Sequence, residues 1–145
     1  MKEYKVKVFE DRVEWRNKDG KLHREDGPAI ERSNGSKEYW IDGQLHREDG
    51  PAVEWSNGGK EYYINGKLHR ENGPAVEWNG DKEYYINGKR HREDGPAVEW
   101  ANGSKEYWIN DKELTKKQFD NRNKVKELNI GEIEKLLGYK VKIVK

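Results

Sequence analysis

Thirteen residues, Gly66-Lys67-Leu68-His69-Arg70-Glu71-Asn72-Gly73-Pro74-Ala75-Val76-Glu77-Trp78, recur almost word for word from Gly20, Gly43 and Gly88. His23, His46, His69 and His91 are all the histidines of the chain, and each is followed by Arg-Glu. Pro28, Pro51, Pro74 and Pro96 are all its prolines, each five residues after a histidine. The steps between histidines are 23, 23 and 22 residues. A unit this short cannot bury an apolar face alone, so successive copies must stack into an array. Composition supports a thin array over a thick core. Only 32% of residues are hydrophobic and 39% are charged, with a mean hydropathy of −1.33. That polarity would suit a disordered chain, but 11% of the residues are aromatic and recur at fixed positions.

Each copy reads as Pro-Ala-Val-Glu-Trp, an Asn-Gly turn, Lys-Glu-Tyr-Tyr-Ile, a second turn and the His-Arg-Glu loop. β-Branched and aromatic runs between Asn-Gly pairs are hairpin signals. Ser56-Asn57-Gly58 suits a three-residue loop with Gly58 left-handed. Glu54 then faces Lys60, Val53 faces Glu61 and Ala52 faces Tyr62. The next copy is one residue shorter, and a two-residue Asn79-Gly80 turn again sets Glu77 against Lys82. A four-residue loop would instead oppose Glu54 and Glu61, a like-charge pair. One face thus carries Ala52, Glu54, Lys60, Tyr62 and Ile64, and the other Val53, Trp55, Glu61 and Tyr63. Five hairpins give ten strands and, at about 4.8 Å per strand, a sheet roughly 48 Å long. Leu22, Leu45 and Leu68 suggest inward packing before each histidine, where Arg90 breaks the pattern; whether Lys67-Leu68-His69 adds a third strand stays open.

The expected architecture is mainly β, an elongated single-layer antiparallel sheet of tandem hairpins with a small αβ cap. Residues 1–19 form an N-terminal strand and degenerate capping repeat, 20–110 four hairpin repeats, and 111–145 the cap. Tyr4 to Phe9 alternates as a half-exposed strand. Thr115-x-x-Gln118 is a capping box that opens a helix near Lys116. A second helix is expected from about Ile130 to Leu137, stopped by Gly138. Tyr139-Lys140-Val141-Lys142-Ile143 reads as a last strand that nearly repeats Tyr4-Lys5-Val6-Lys7-Val8.

The 23-residue period and the Tyr-x-x-Asn-Gly-Lys-x-His words, as from Tyr62 to His69, resemble the membrane occupation and recognition nexus (MORN) repeat over residues 13–110. The nearest likeness is to MORN-like variants of bacteria, bacteriophages and giant viruses, some of antitoxin type. The resemblance implies a single-layer hairpin sheet and a scaffold or interaction role, with lipid association or dimerisation in some members. The family's His-Gly is here His-Arg-Glu-Asp/Asn-Gly-Pro, so the connecting loop differs.

The His-Arg-Glu-Asp loops bring together groups suited to metal binding or acid–base chemistry, and a hydrolase or nuclease built on them is the remotest of three readings. Four equal sites along a ribbon are not what catalysis needs, so a structural role in joining copies is expected, with neither cofactor nor metal. The aromatic positions are more informative for binding. Trp55, Trp78 and Trp100 align in three copies, with Arg32 in their place in the first full copy. Trp40, Tyr63, Tyr85 and Trp108 line the same face, where exposed aromatics suit a protein interface. Nucleic acid is not favoured. The chain before residue 111 carries −3, and Glu54, Glu61, Glu77 and Glu83 interrupt any stacking platform.

Residues 111–145 carry +4, and Lys116, Lys117 and Arg122 are counted with the aromatics as candidate partner contacts. Without cysteine, a signal-peptide core or a membrane-length apolar run, a cytoplasmic protein is expected. The first functional reading is a non-enzymatic binding module, and the family likeness sharpens it to an inhibitor or antitoxin against a toxin or defence factor. A membrane-surface adaptor using the basic tail is the alternative. A homodimer through the similar terminal strands is a further expectation.

Overall fold

The computed structural model describes residues 3–122, 130–138 and 140. An eleven-stranded antiparallel sheet runs through the repeats. Its strands are β1 (Lys5–Val8), β2 (Arg12–Arg16), β3 (Ile30–Arg32), β4 (Lys37–Glu38), β7 (Val53–Glu54), β8 (Lys60–Glu61), β11 (Val76–Trp78), β12 (Asp81–Glu83), β15 (Val98–Glu99), β16 (Lys105–Ile109) and β17 (Lys112–Leu114). Three small ladders flank it: β5 (Trp40–Ile41) with β6 (Gln44–Leu45), β9 (Tyr63–Ile64) with β10 (Lys67–Leu68), and β13 (Tyr85–Ile86) with β14 (Lys89–Arg90). The undecided Lys67-Leu68 segment is therefore a strand. The expected ten strands become eleven because the last copy differs from the others. Tyr39, Tyr62 and Tyr84 interrupt the second strand of the inner copies, whereas Lys105–Ile109 runs unbroken and carries β17 into the main sheet.

The expected register holds. Val53 pairs with Glu61 and Glu54 with Lys60, and Glu77 again opposes Lys82 across the shorter turn. Gly58 is left-handed at φ 90°, and Asn79 and Gly80 both take positive φ, the pattern of a two-residue hairpin turn. The core is a thin line within the sheet. Ala29, Ala52, Ala75 and Ala97 are wholly buried on one face, and Ile30, Val53 and Val98 are buried on the other.

The two ends differ from expectation and from each other. At the N-terminus all four residues of β1 are exposed, so the strand shields nothing and is not half-buried as its alternation suggests. Its partner β2 places Glu14 against Ile30, the neighbour that Glu38 also faces. Glu14-Trp15 is thus the counterpart of Glu38-Tyr39, in a second strand.

At the C-terminus α1 (Lys116–Asn121) opens on the expected capping box, with Thr115 accepting from the Gln118 N–H. It seats buried Phe119 against Tyr107, with ring centroids 4.8 Å apart. α2 (Ile130–Leu137) ends at Gly138 as expected, but none of its residues is buried, and Leu136 is 77% exposed. The expected strand over 139–143 lies outside the described residues. Among those that are described, no helix is long and apolar enough to cross a membrane.

Candidate interaction face

Two side-chain layers cover the sheet, one on each face. On the alanine face, the arginine of each loop folds back over a ring. Arg24 lies 4.2 Å from the Trp15 ring centroid, Arg47 3.9 Å from Tyr39, Arg70 3.8 Å from Tyr62 and Arg92 4.0 Å from Tyr84. Each guanidinium also donates to the carbonyl of the following proline and to a strand glutamate, as Arg47 does to Pro51 and Glu54. The fit beneath it is close, since a Cβ on Gly50 would sit 3.0 Å from the Arg47 Cζ.

The histidines work forward. Nδ1 of His23, His46, His69 and His91 accepts the backbone N–H of Asp42, Asn65, Asn87 and Asn110, each a left-handed turn residue of the next copy. The arginine backbone N–H groups likewise reach the carbonyls of Trp40, Tyr63, Tyr85 and Trp108. Open hollows remain between consecutive loops, the one lined by Arg70, His91, Glu93 and Asp94 measuring about 510 Å³. Their imidazole Nδ1 atoms and guanidinium groups are already engaged. Among the described residues no cluster of three or more His, Cys, Asp or Glu could hold a metal ion.

The opposite face is organised by a row of glutamates, each taking two donors. Glu14 accepts from Arg12 and Arg16, and Glu38 from Arg32 and Trp40. Glu61 accepts from Trp55 Nε1 and the Tyr63 hydroxyl, and Glu106 from Trp100 Nε1 and Trp108 Nε1. Arg32 thus performs the task of the tryptophan it replaces. Burial pushes the Glu14 carboxyl up, but hydrogen bonds from Arg12 and Arg16 outweigh it and the net shift is down. Bonds from Trp100 and then Trp108 hold Glu106 below the ordinary glutamate value of 4.5. Burial, and then the bond to Glu61, push the Tyr63 phenol up.

A depressed carboxyl contributes stability above its unfolded value that is lost as pH falls through its folded value. The urea midpoint should hold from pH 7 to about pH 5 and decline below about pH 4.5. Glu106→Gln should flatten that decline, and an unchanged decline would remove Glu106 from its cause.

The fourth glutamate of the row also takes two donors, but neither is the tryptophan of its own hairpin. Glu83 accepts from the Tyr85 hydroxyl and from Arg90, at 2.9 and 3.0 Å, not from Trp78. Arg90 stands where the other copies have leucine, and its guanidinium joins the Tyr85 hydroxyl on Oε2 of Glu83, whereas Trp55 and Trp100 donate to Oε1 of Glu61 and Glu106. Trp78 instead packs edge-on against Trp55, with centroids 5.9 Å apart at 77°. It reaches that place only because residue 59 is glycine: a Cβ there would lie 2.5 Å from Trp78 Cε3. Trp78 is 37% exposed and is the only exposed tryptophan among the described residues.

The ten candidate contacts therefore separate. Trp40, Trp55, Tyr63, Tyr85, Trp100 and Trp108 share this face, half-buried with their polar ends on glutamates. Trp78 shares it with its ring offered outward. Lys116, Lys117 and Arg122 belong to the C-terminal end. Lys116 pairs with Asp120, Lys117 is exposed, and Arg122 lies over the Phe119 ring and donates to the Glu93 carbonyl. Sequence reasoning missed the glutamate row, although Glu38, Glu61, Glu83 and Glu106 each stand two residues before an aromatic. Comparison with protein-family models, with curated proteins and with solved structures gives no match.

Proposed function

We propose that this chain is a non-enzymatic protein-binding module that holds its partner on the glutamate–aromatic face, with Trp78 as the anchor. The observation that carries the reading is the exposed Trp78 ring, packed edge-on against Trp55 and held by no glutamate of the row. A rigid, half-exposed indole beside a second tryptophan supplies large contact area at small entropic cost, the usual make-up of an interface hot spot. The surrounding rings have their polar ends satisfied, so a partner can desolvate them without orphaning a donor. The repeat likeness extends the proposal to an inhibitor that covers a toxin or defence factor. That extension rests on analogy of fold and repeat.

The test is affinity capture from lysate of the source cell with wild type, Trp78→Ala and Trp100→Ala, each first shown to be folded by circular dichroism. A specific protein retained by wild type and Trp100→Ala, and reduced at least about tenfold by Trp78→Ala, is the expected result. Capture that ignores Trp78 would overturn the assignment of the anchor.

A further inference from the structure

We propose that the outer edge of β1 is a strand-addition site for an extended segment in which acidic and apolar residues alternate. This surface is separate from the Trp78 face and does not rest on that reading. β1 is the terminal strand of the main sheet, and among the described residues only β2 pairs with it. The Phe9 N–H donates to the Arg12 carbonyl at 2.8 Å, which fixes the phase of the β1–β2 ladder. Alternation then directs the peptide groups of Lys5 and Lys7 toward β2 and those of Val6 and Val8 outward. Two residues thus present both N–H and C=O along an open edge. Main-chain bonding of this kind supplies the affinity in strand addition, while alternate side chains supply specificity.

The side chains select the occupant. Val6 and Val8, 51% and 76% exposed, stand on one face of the strand. Lys5 and Lys7 stand on the other, with the Lys5 ammonium held at 2.7 Å from the Lys18 carbonyl. An added antiparallel strand meets valine and lysine in turn, so its matching residues are apolar and acidic in turn.

The same strand of a second copy fits poorly. A two-fold axis through Lys5, Val6 or Lys7 sets lysine against lysine, and one through Val8 carries the pairing into the bend at Glu10-Asp11. The lysines therefore act as a filter on the edge: they repel self-pairing, as charged edge residues do, and they admit a strand of opposite charge.

The probe is a fluorescein-labelled peptide of alternating glutamate and valine flanked by threonines, titrated with the full chain at low salt and followed by anisotropy. Saturable binding is expected, together with a loss of at least about tenfold for Val6→Pro. That proline removes an outward N–H and leaves the bonds to β2 in place. In case Val6→Pro disturbs the fold, Lys5→Glu with Lys7→Glu gives an independent reading with the backbone unchanged. The double variant should lose the acidic peptide and bind its lysine–valine counterpart. No saturable binding up to about 1 mM peptide would overturn the proposal. So would equal binding by a folded Val6→Pro, or indifference to the lysine reversal. Sedimentation that finds a wild-type dimer abolished by Val6→Pro would assign the edge to a second copy instead.

Discussion

Arg47→Ala is expected to lower the free energy of unfolding by about 3 kcal/mol, with charged hydrogen bonds and a cation–π contact as the main losses. The Arg47 guanidinium bonds Asp49 and Glu54 at 2.8 and 2.7 Å and the Pro51 carbonyl at 3.2 Å, and it stacks on Tyr39. An exposed ion pair alone would be worth under about 1 kcal/mol. Here Arg47 is only 23% exposed and Glu54 35%, and one planar group serves the loop, the strand and the ring together. Arg47→Lys should recover less than half of the loss, since a single ammonium lacks the fork that reaches all these partners. Urea unfolding of the three proteins decides the matter. An alanine variant within about 0.5 kcal/mol of wild type would mean that the loop is held by solvated contacts that contribute little.

Ala75→Leu should cost a comparable amount, about 3 kcal/mol, through overpacking. Ala75 is wholly buried just before β11, on the face of Tyr62 and Tyr84, and each of those rings lies beneath an arginine. The backbone cannot open, because the Tyr62 N–H bonds the Ala75 carbonyl and the Ala75 N–H bonds the Glu83 carbonyl. A leucine must therefore displace a tyrosine and the guanidinium above it. Thermal melting should drop by several degrees, and the effect should recur at Ala97. A wild-type melting temperature in Ala75→Leu would show that this face is loosely filled.

The sheet was legible in the sequence wherever a local rule had one solution. The opposition of Glu54 and Lys60, and its survival through the shorter copy, left a single register, and Thr115-x-x-Gln118 marked a helix start that the structure contains. The N-terminal frame was not legible. Val13-Glu14-Trp15 echoes Val53-Glu54-Trp55, yet it lies in the second strand of its hairpin, with Trp15 beneath Arg24 as Tyr39 lies beneath Arg47. A three-residue word does not fix a strand's neighbours; cross-strand pairing does. The glutamate row was hidden for a related reason. Glu61 reads from sequence as a surface charge, and only the folded geometry brings an indole and a phenol from different positions onto its two oxygens. Arg90 was visible as an exception to the leucines, but its junction with Tyr85 on Glu83 needs three side chains in place at once.

The histidine and arginine links each run from one copy to the next. The molecule therefore behaves as a ruler whose length is counted in whole copies. Splicing out the 23 residues from Gly43 to Asn65 would join Asp42 to Gly66 and leave every remaining link with a partner of its own kind. The spacing between the two ends would shorten by two strands, about 10 Å, with no core to rebuild. Selection for reach could then act through duplication or loss of a single unit, and a partner spanning both ends would register each step.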